Sequence, residues 1–310
     1  MTRIAVTGGT GFVGAALIDL LVAQQFDVAA LVRDRRRLAA RAGVDVIEGD
    51  LENDSALGAL AAGASAVIHL AGVTHARSDA DYGRVNVDGA RRAAIAAEAA
   101  GARFVHASSM SARTPGVSAY ARSKFTSEGA IRESLAGGNW IALRLPAIYG
   151  PGDRATLPYF KLVKSGLALE PATTTPARAS ILFVDDAAAA LVRAAQAALP
   201  AGVYEVGDDR SDGHAWSEIG AVLGASLGRR PRAIRVPRPL VALAHNGTRL
   251  VEGVLGRTPS VRSGQINEFF HPDWVARENL FSAASGWRPH TTLEEGFAKS
   301  VRWYQEKGLL

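Results

Sequence analysis

Tyr120 and Lys124 are four residues apart in Tyr120-Ala121-Arg122-Ser123-Lys124, a spacing that puts both side chains on one face of a helix. A free tyrosine ionises near pH ~10, too high for an efficient base at neutrality. An ammonium group beside it favours the phenolate and lowers that value. Upstream, Arg103-Phe104-Val105-His106-Ala107 reads as a strand running into Ser108-Ser109-Met110-Ser111. Ser109, at the carboxyl end of that strand, could hold a hydroxyl or carbonyl beside the phenol, because open α/β sheets place their ligands there. A tyrosine and a lysine at this spacing also occur on ordinary surface helices. What gives the pair weight is the chain around it.

The element most able to position a cofactor against that pair is the first turn, Thr7-Gly8-Gly9-Thr10-Gly11-Phe12-Val13-Gly14. It follows the apolar strand Arg3-Ile4-Ala5-Val6 and precedes a helix reading from Ala15 to Val22. Strand, glycine turn and helix in that order are the parts of a dinucleotide site. Gly8 can turn the chain sharply, Gly11 lets backbone approach a pyrophosphate, and Gly14 lets helix pack closely on strand. The helix N-terminus adds unpaired N–H groups and a partial positive charge. The spacing is G-x-x-G-x-x-G, one residue different from the ordinary dehydrogenase fingerprint.

The following strands extend the site. Asp27 to Val32 reads as the second strand, and Val32 occupies the register position where NAD-specific sites carry an acid for the ribose hydroxyls. Arg33 comes next, and a guanidinium suits the 2′-phosphate of NADP. Asp34 keeps NAD open. Val44 to Gly49 is a third strand ending in Asp50-Leu51, where a carboxylate could accept from the adenine amino group and Leu51 could lie against the ring. Asn53-Asp54-Ser55 would cap the next helix. The fourth strand, Ala66 to Gly72, carries His69, which reads as a packed histidine rather than a base. Asn86 opens an alanine-rich helix that runs to Ala100 and is closed by Gly101. A helix carrying Tyr120 begins near Val117, and Trp140 to Leu145 is a sixth strand ended by Pro146.

This alternation predicts an α/β fold, a doubly wound parallel sheet covered on both faces, with a smaller and mostly C-terminal α/β lobe. Residues 1–150 are expected to form the dinucleotide-binding domain, with 180–200 packing back on it, and 151–310 the substrate-binding lobe. In that lobe Ile181 to Asp186 and Val203 to Gly207 read as strands. Ala187 to Leu199, Trp216 to Leu227, Leu240 to Val254 and Leu293 to Gln305 read as helices.

Composition narrows the functions. At 310 residues with 48% apolar and 21% charged residues, the chain can bury a large core of ordinary soluble type. With no cysteine, disulfides, thiolate metal sites and a cysteine nucleophile are excluded, and no metal is expected. The first residues run directly into a strand and no apolar run approaches the ~18 residues of a membrane span. A cytoplasmic enzyme with no membrane or nucleic-acid partner is the expectation. The net charge of +5 comes from arginines scattered at Arg33 to Arg37, Arg91-Arg92 and Arg229 to Arg262. They read mainly as solvated surface, with a site for anionic ligands as the other reading.

Taken together the chain resembles an extended short-chain dehydrogenase/reductase, of the NAD-dependent epimerase and dehydratase group. The resemblance is carried in order by Thr7 to Gly14, Asp50-Leu51, His69 to Gly72, Asn86, Ser108-Ser109 and Tyr120 to Lys124. It continues through Arg144 to Gly152, Val184-Asp185-Asp186 and Ser285-Gly286-Trp287-Arg288-Pro289. It implies that Tyr120 is the acid/base, that Lys124 lowers its pKa and binds the nicotinamide ribose, and that Ser109 orients the reacting oxygen. Ser108 and Ser111 are near enough to share the serine assignment. The cofactor contacts it implies are Gly8, Thr10, Gly11, Phe12, Val13, Gly14, Arg33, Asp50, Leu51, Leu70, Ala71, Gly72, Asn86, Tyr120 and Lys124, with Pro146 and Ile148 close to the nicotinamide. Hydride transfer between a substrate carbon and that ring, with Tyr120 handling the proton, is the implied chemistry. A homodimer through helix 90–100 is also open.

Departures from the group bear on substrate. Ala147 replaces an asparagine that many sugar-nucleotide epimerases use, and only ten residues separate Ser109 from Tyr120. Ala179-Ser180 stands where some members have arginine and aspartate. Two enzymatic readings follow for a small-molecule substrate. One is a sugar-nucleotide epimerase or dehydratase; the other is an NADPH-dependent ketone or aldehyde reductase, 3β-hydroxysteroid-dehydrogenase-like. A non-catalytic dinucleotide sensor or assembly subunit is a third, against which the retained tyrosine–lysine pair counts.

Overall fold

The structure, a computed structural model, describes residues 1–38, 42–76, 78–135, 137–243 and 263–310. Its centre is a seven-stranded parallel sheet built from β1 (Arg3–Thr7), β2 (Asp27–Val32), β3 (Val44–Glu48), β4 (Ala66–His69), β5 (Arg103–Ser109), β6 (Trp140–Leu145) and a last strand, Gly202–Glu205. The order across the sheet is β3-β2-β1-β4-β5-β6 and then Gly202–Glu205. Its winding reverses between β1 and β4, the switch point outside which such sheets take ligands. Both faces are buried, which is why the strands read as continuous apolar runs rather than alternating ones.

Neighbouring residues on each strand feed opposite cores. Val6, Ile68 and Val105 pack with Leu17, Ile18 and Leu21 of α1 (Phe12–Ala23) and with Ala187, Leu191 and Ala194 of the helix Val184–Gln196. Ala5, Val67 and Phe104 pack with Leu57 and Leu60 of α2 (Asp54–Ala61), with Ala93 and Ala94, and with Ile131. The chain after residue 150 therefore returns to the sheet twice, as a helix against α1 and as its edge strand.

Several sequence expectations shift. The helix expected to open at Asn86 starts earlier, as α3 (Asp79–Tyr82), passes through a π-helical stretch Gly83–Asp88, and continues as α4 (Gly89–Ala99). Asn86 lies inside it, in the kind of wide turn that re-aims a side chain. The catalytic-helix candidate α5 spans Ala119–Ser134 and is capped by Ser118, whose hydroxyl accepts from the Ala121 N–H. The strand expected over Ile181 to Asp186 ends at Phe183, and Val184, Asp185 and Asp186 form the first turn of a helix. The reason is Asp186, which is buried and accepts from the His290 and Thr291 backbone N–H groups at 2.9 and 3.1 Å. Most of the helix expected over Leu240 to Val254 lies outside the described residues.

The remaining lobe has its own aromatic core, in which Tyr149, Phe160, Phe183, Phe297 and Tyr304 pack together. Three small sheets surround it. One is Ala147–Tyr149 beside Ile181–Phe183, a second pairs Leu167–Pro171 with Arg232–Val236, and the third is built on Arg178–Ala179. The last helix, Leu293–Glu306, starts with a full capping box between Thr292 and Glu295.

Candidate active site

At the switch point the glycine turn is fixed by close backbone approach. Gly8 has φ +75°, and a Cβ there would lie 2.6 Å from the Ala71 nitrogen, at the end of β4. A Cβ on Gly14 would run into the Gly8 carbonyl oxygen and come within 2.8 Å of Gly9 Cα, so this glycine lets α1 pack on the turn itself. Gly11 differs: its Cβ would meet only the Gly8 oxygen, at 3.2 Å. Gly11 is also the N-cap of α1, with no side-chain cap, so the first N–H groups of the helix have no capping side chain. An open, glycine-lined cradle at an uncapped helix N-terminus fits a pyrophosphate. Thr10 is exposed there, and Phe12 and Val13 are half-buried.

The other expected cofactor positions fall along the same carboxyl edge. Arg33 follows β2, is exposed, and makes no ion pair among the described residues. Asp34, by contrast, is committed to Arg36, accepting its backbone N–H at 3.0 Å and its guanidinium at 2.9 Å through both carboxylate oxygens. Asp50 follows β3, where one of its oxygens accepts from the Glu52 N–H, and Leu51 packs under Gly89 of α4. Leu70, Ala71 and Gly72 continue β4, with the Ala71 N–H donating to Thr7 Oγ1. Asn86 is buried and organises this loop: its oxygen accepts from the Val73 N–H, and its amide donates to the Val73 carbonyl and to Ser123 on α5. Pro146 is buried, Ile148 is half-buried and Ala147 is exposed at the end of β6.

The strand pleat separates the serines. Ser108 points into the sheet's other face, where its hydroxyl donates to Glu128 at 2.5 Å. Glu128 is held in turn by Arg144, at 3.0 and 2.8 Å. Ser109 faces the site, where its hydroxyl is hydrogen-bonded to Tyr120 and lies 2.9 Å from Ser111 Oγ. Lys124 is buried and donates to the Ala107 carbonyl at 2.7 Å, which leaves it two further N–H donors. Burial lowers its pKa to about 8, against a smaller upward pull from Glu128.

Tyr120 departs from the sequence expectation. Its pKa is not lowered; burial pushes it up to about 12, the Ser109 hydrogen bond pulls it down, and the Glu268 carboxylate and Tyr82 raise it further. The protein's own groups therefore hold Tyr120 as a neutral phenol at pH 7. His69 matches its reading as a packed residue. It is buried against Thr7 at 2.8 Å, and desolvation with the Lys124 charge drops its pKa to about 3.

The far wall of the cleft comes from the helix Ser263–Phe269, which no motif announces. Glu268 accepts from the Ser118 hydroxyl at the start of α5. Asn267 donates to the Val117 carbonyl at 3.0 Å, and Gln265 meets His75 on the loop after β4. Burial raises the Glu268 pKa. A cavity of about 740 Å³ also opens beside α1, lined by Thr10, Gly11, Phe12, Asp185 and Trp303 but by none of Ser109, Tyr120 and Lys124.

Sheet order and glycine cradle are those of an extended short-chain dehydrogenase/reductase, an enzyme class that works through a nicotinamide dinucleotide. Residues 4–207 match the NAD dependent epimerase/dehydratase family, and the chain belongs to it. Ceramide reductase of Caulobacter vibrioides is 39% identical over 99% of this chain and 96% of its own length. The 3-diazoavenalumate denitrifying reductase of a Streptomyces species is 30% identical over 77% of this chain and 87% of its own. Among solved structures, the Bordetella bronchiseptica enzyme WbmG in complex with NAD and UDP superposes with a TM-score of 0.75 at 20% identity, covering 99% of this chain and 96% of that one. That likeness is one of fold.

Proposed function

We propose that this enzyme is an NADPH-dependent reductase of a ketone carried on a long-chain, ceramide-class lipid. The observation that carries the reading is the hydrogen bond between the Tyr120 phenol and Ser109, with burial keeping that phenol protonated. A neutral phenol is a proton donor, which is what carbonyl reduction requires of it. An alkoxide formed in water has a conjugate acid near pKa ~16, so the transfer is downhill even from so weak an acid. The resemblance along the whole chain to a ceramide reductase supplies the substrate class. The exposed Ala147, in place of a polar residue, leaves that side of the cleft free of a contact for a sugar nucleotide.

Bound reduced dinucleotide supplies the hydride. Ser109 holds the carbonyl oxygen within reach of the phenol, and Tyr120 gives its proton to that oxygen as the carbon is reduced. Lys124, with two donors left after Ala107, holds the ribose hydroxyls and keeps a positive charge beside the ring. Arg33 takes the 2′-phosphate, since it makes no ion pair among the described residues while Asp34 is occupied by Arg36. We also propose a homodimer through α4 and α5, where Ile95 and Phe125 are each 49% exposed; sedimentation showing a monomer at micromolar concentration would count against it.

The test is oxidation of NADPH, followed at 340 nm, with a ceramide-class ketone in detergent. Stoichiometric formation of the alcohol supports the reading. Tight retention of NAD through purification, with no net oxidation of NADPH by any ketone, would return the enzyme to epimerase chemistry.

A further inference from the structure

Arg229, Arg230, Arg232, Arg235 and Arg238 make no contact with Ser109, Tyr120 or Lys124 among the described residues. Between Glu218 and Glu252 the sequence has no carboxylate, while Arg229, Arg230, Arg232, Arg235 and Arg238 fall within ten residues. All five are exposed. Arg235 donates to the Thr173 carbonyl and Arg238 to the Asn267 side chain, and among the described residues none of the five pairs with a carboxylate. One carboxylate, Glu170, sits across from Arg235 in the pairing of Leu167–Pro171 with Arg232–Val236, without an ion pair to it. Unpaired cations at this density repel one another and are relieved by an anionic partner.

Apolar side chains are mixed into the same stretch. Leu240 is 58% exposed and Leu243 is 70% exposed, and Leu167, which is 37% exposed, stands opposite Arg232 in register. These are three of the six large hydrophobics exposed on the described surface. The stretch is also attached to the cleft: Arg238 holds Asn267, and Asn267 holds the Val117 carbonyl just ahead of the helix bearing Tyr120.

We infer that residues 229–243, with Leu167, form a docking surface for an anionic lipid bilayer, placed at the rim of the substrate cleft. Phosphate groups would satisfy the arginines in either a nucleic acid or a membrane. Only a bilayer also takes up exposed leucines, and binding that combines a basic cluster with a few inserted apolar side chains is the usual two-signal form of peripheral attachment. No described helix is long and apolar enough to cross a membrane, so the contact is with its surface. The inference stands on the surface itself; if the lipid-ketone reading also holds, the substrate would enter from the membrane at this rim.

The experiment is co-sedimentation of the whole protein with phosphatidylglycerol vesicles and with phosphatidylcholine vesicles, at 0.1 M and 0.5 M NaCl. At least tenfold stronger binding to the anionic vesicles, lost at high salt, is expected. Combined Arg229→Glu, Arg230→Glu and Arg232→Glu substitutions should abolish it. Leu240→Ser with Leu243→Ser should weaken vesicle binding severalfold and leave binding to a short DNA duplex unchanged. NADPH binding, read by fluorescence, should be the same in all variants and shows that they are folded. Wild-type protein left in the supernatant of anionic vesicles overturns the inference, whatever the enzyme reduces. So does a leucine variant that sediments like wild type, which would mark the arginines as a general polyanion site.

Discussion

The two walls of the cleft are made by different physics. The sheet side is set by backbone: Gly8 lies so close to Ala71, and Gly14 so close to Gly8, that a single methyl group would displace them. The opposite side, Ser263–Phe269, is one short helix held by side chains, Glu268 on Ser118, Asn267 on Val117 and Gln265 on His75. The first wall is rigid because moving it breaks a core that runs through seven strands. The second rests on a few side-chain contacts and can change by substitution without disturbing the glycine turn.

If that division is right, changes on the two walls separate cleanly, and Tyr120 gives the largest effect. Tyr120→Phe removes the proton donor while keeping the ring, and NADPH-dependent turnover should fall about 10²- to 10⁴-fold. NADPH affinity, measured by fluorescence titration, should stay within about twofold by the same reasoning, since the phenol serves the substrate oxygen. Turnover near the wild-type rate would remove Tyr120 from the mechanism. Arg33→Ala comes next. Losing a charge-assisted hydrogen bond of about 1.5–3 kcal/mol should weaken NADPH roughly 10- to 100-fold. NADH should be little affected, and equal losses for both would assign the cofactor as NAD.

A smaller effect follows from Lys124, whose pKa is lowered to about 8 by burial. Below that pH the ammonium is charged and can hold the ribose; above it the charge is lost. Cofactor affinity should be flat from pH 6 to about 7.5 and weaken as pH rises through about 8. Lys124→Arg, which stays charged, should remove that limb even if it lowers the rate. A wild-type profile that is flat to pH 10 would show that Lys124 does not carry the charge.

The difference between the walls also decides what the sequence could reveal. The sheet, the glycine turn and the Ser109, Tyr120 and Lys124 positions were legible because each is tied to local chain geometry: a strand end, a tight turn, a four-residue helical spacing. His69 was legible as core for the same reason. Asn86 was located but misplaced as a helix start, since a π-helical stretch has no compositional mark. Val184 to Asp186 look like the end of a strand until Asp186 meets His290 and Thr291, more than a hundred residues away. The upward shift of the Tyr120 pKa was not legible at all. It depends on how much water the fold removes and on Glu268, 148 positions later in the chain.

Glu268 therefore gives the sharpest test of the second wall, with the smallest effect. Its carboxylate raises the Tyr120 pKa and accepts the Ser118 hydroxyl that caps α5. In Glu268→Gln the charge is gone while an acceptor oxygen remains, so the cap should survive with a stability loss of about 1 kcal/mol or less. With the negative charge removed, ionising Tyr120 becomes easier and its pKa falls. Oxidation of the alcohol product by NADP needs the phenolate, so that reverse reaction should begin at a lower pH than in the wild type. Ketone reduction at pH 7 should change little, because the phenol remains protonated there, and NADPH affinity should not change. An oxidation profile identical to that of the wild type would mean that the second wall holds the catalytic helix without setting its chemistry.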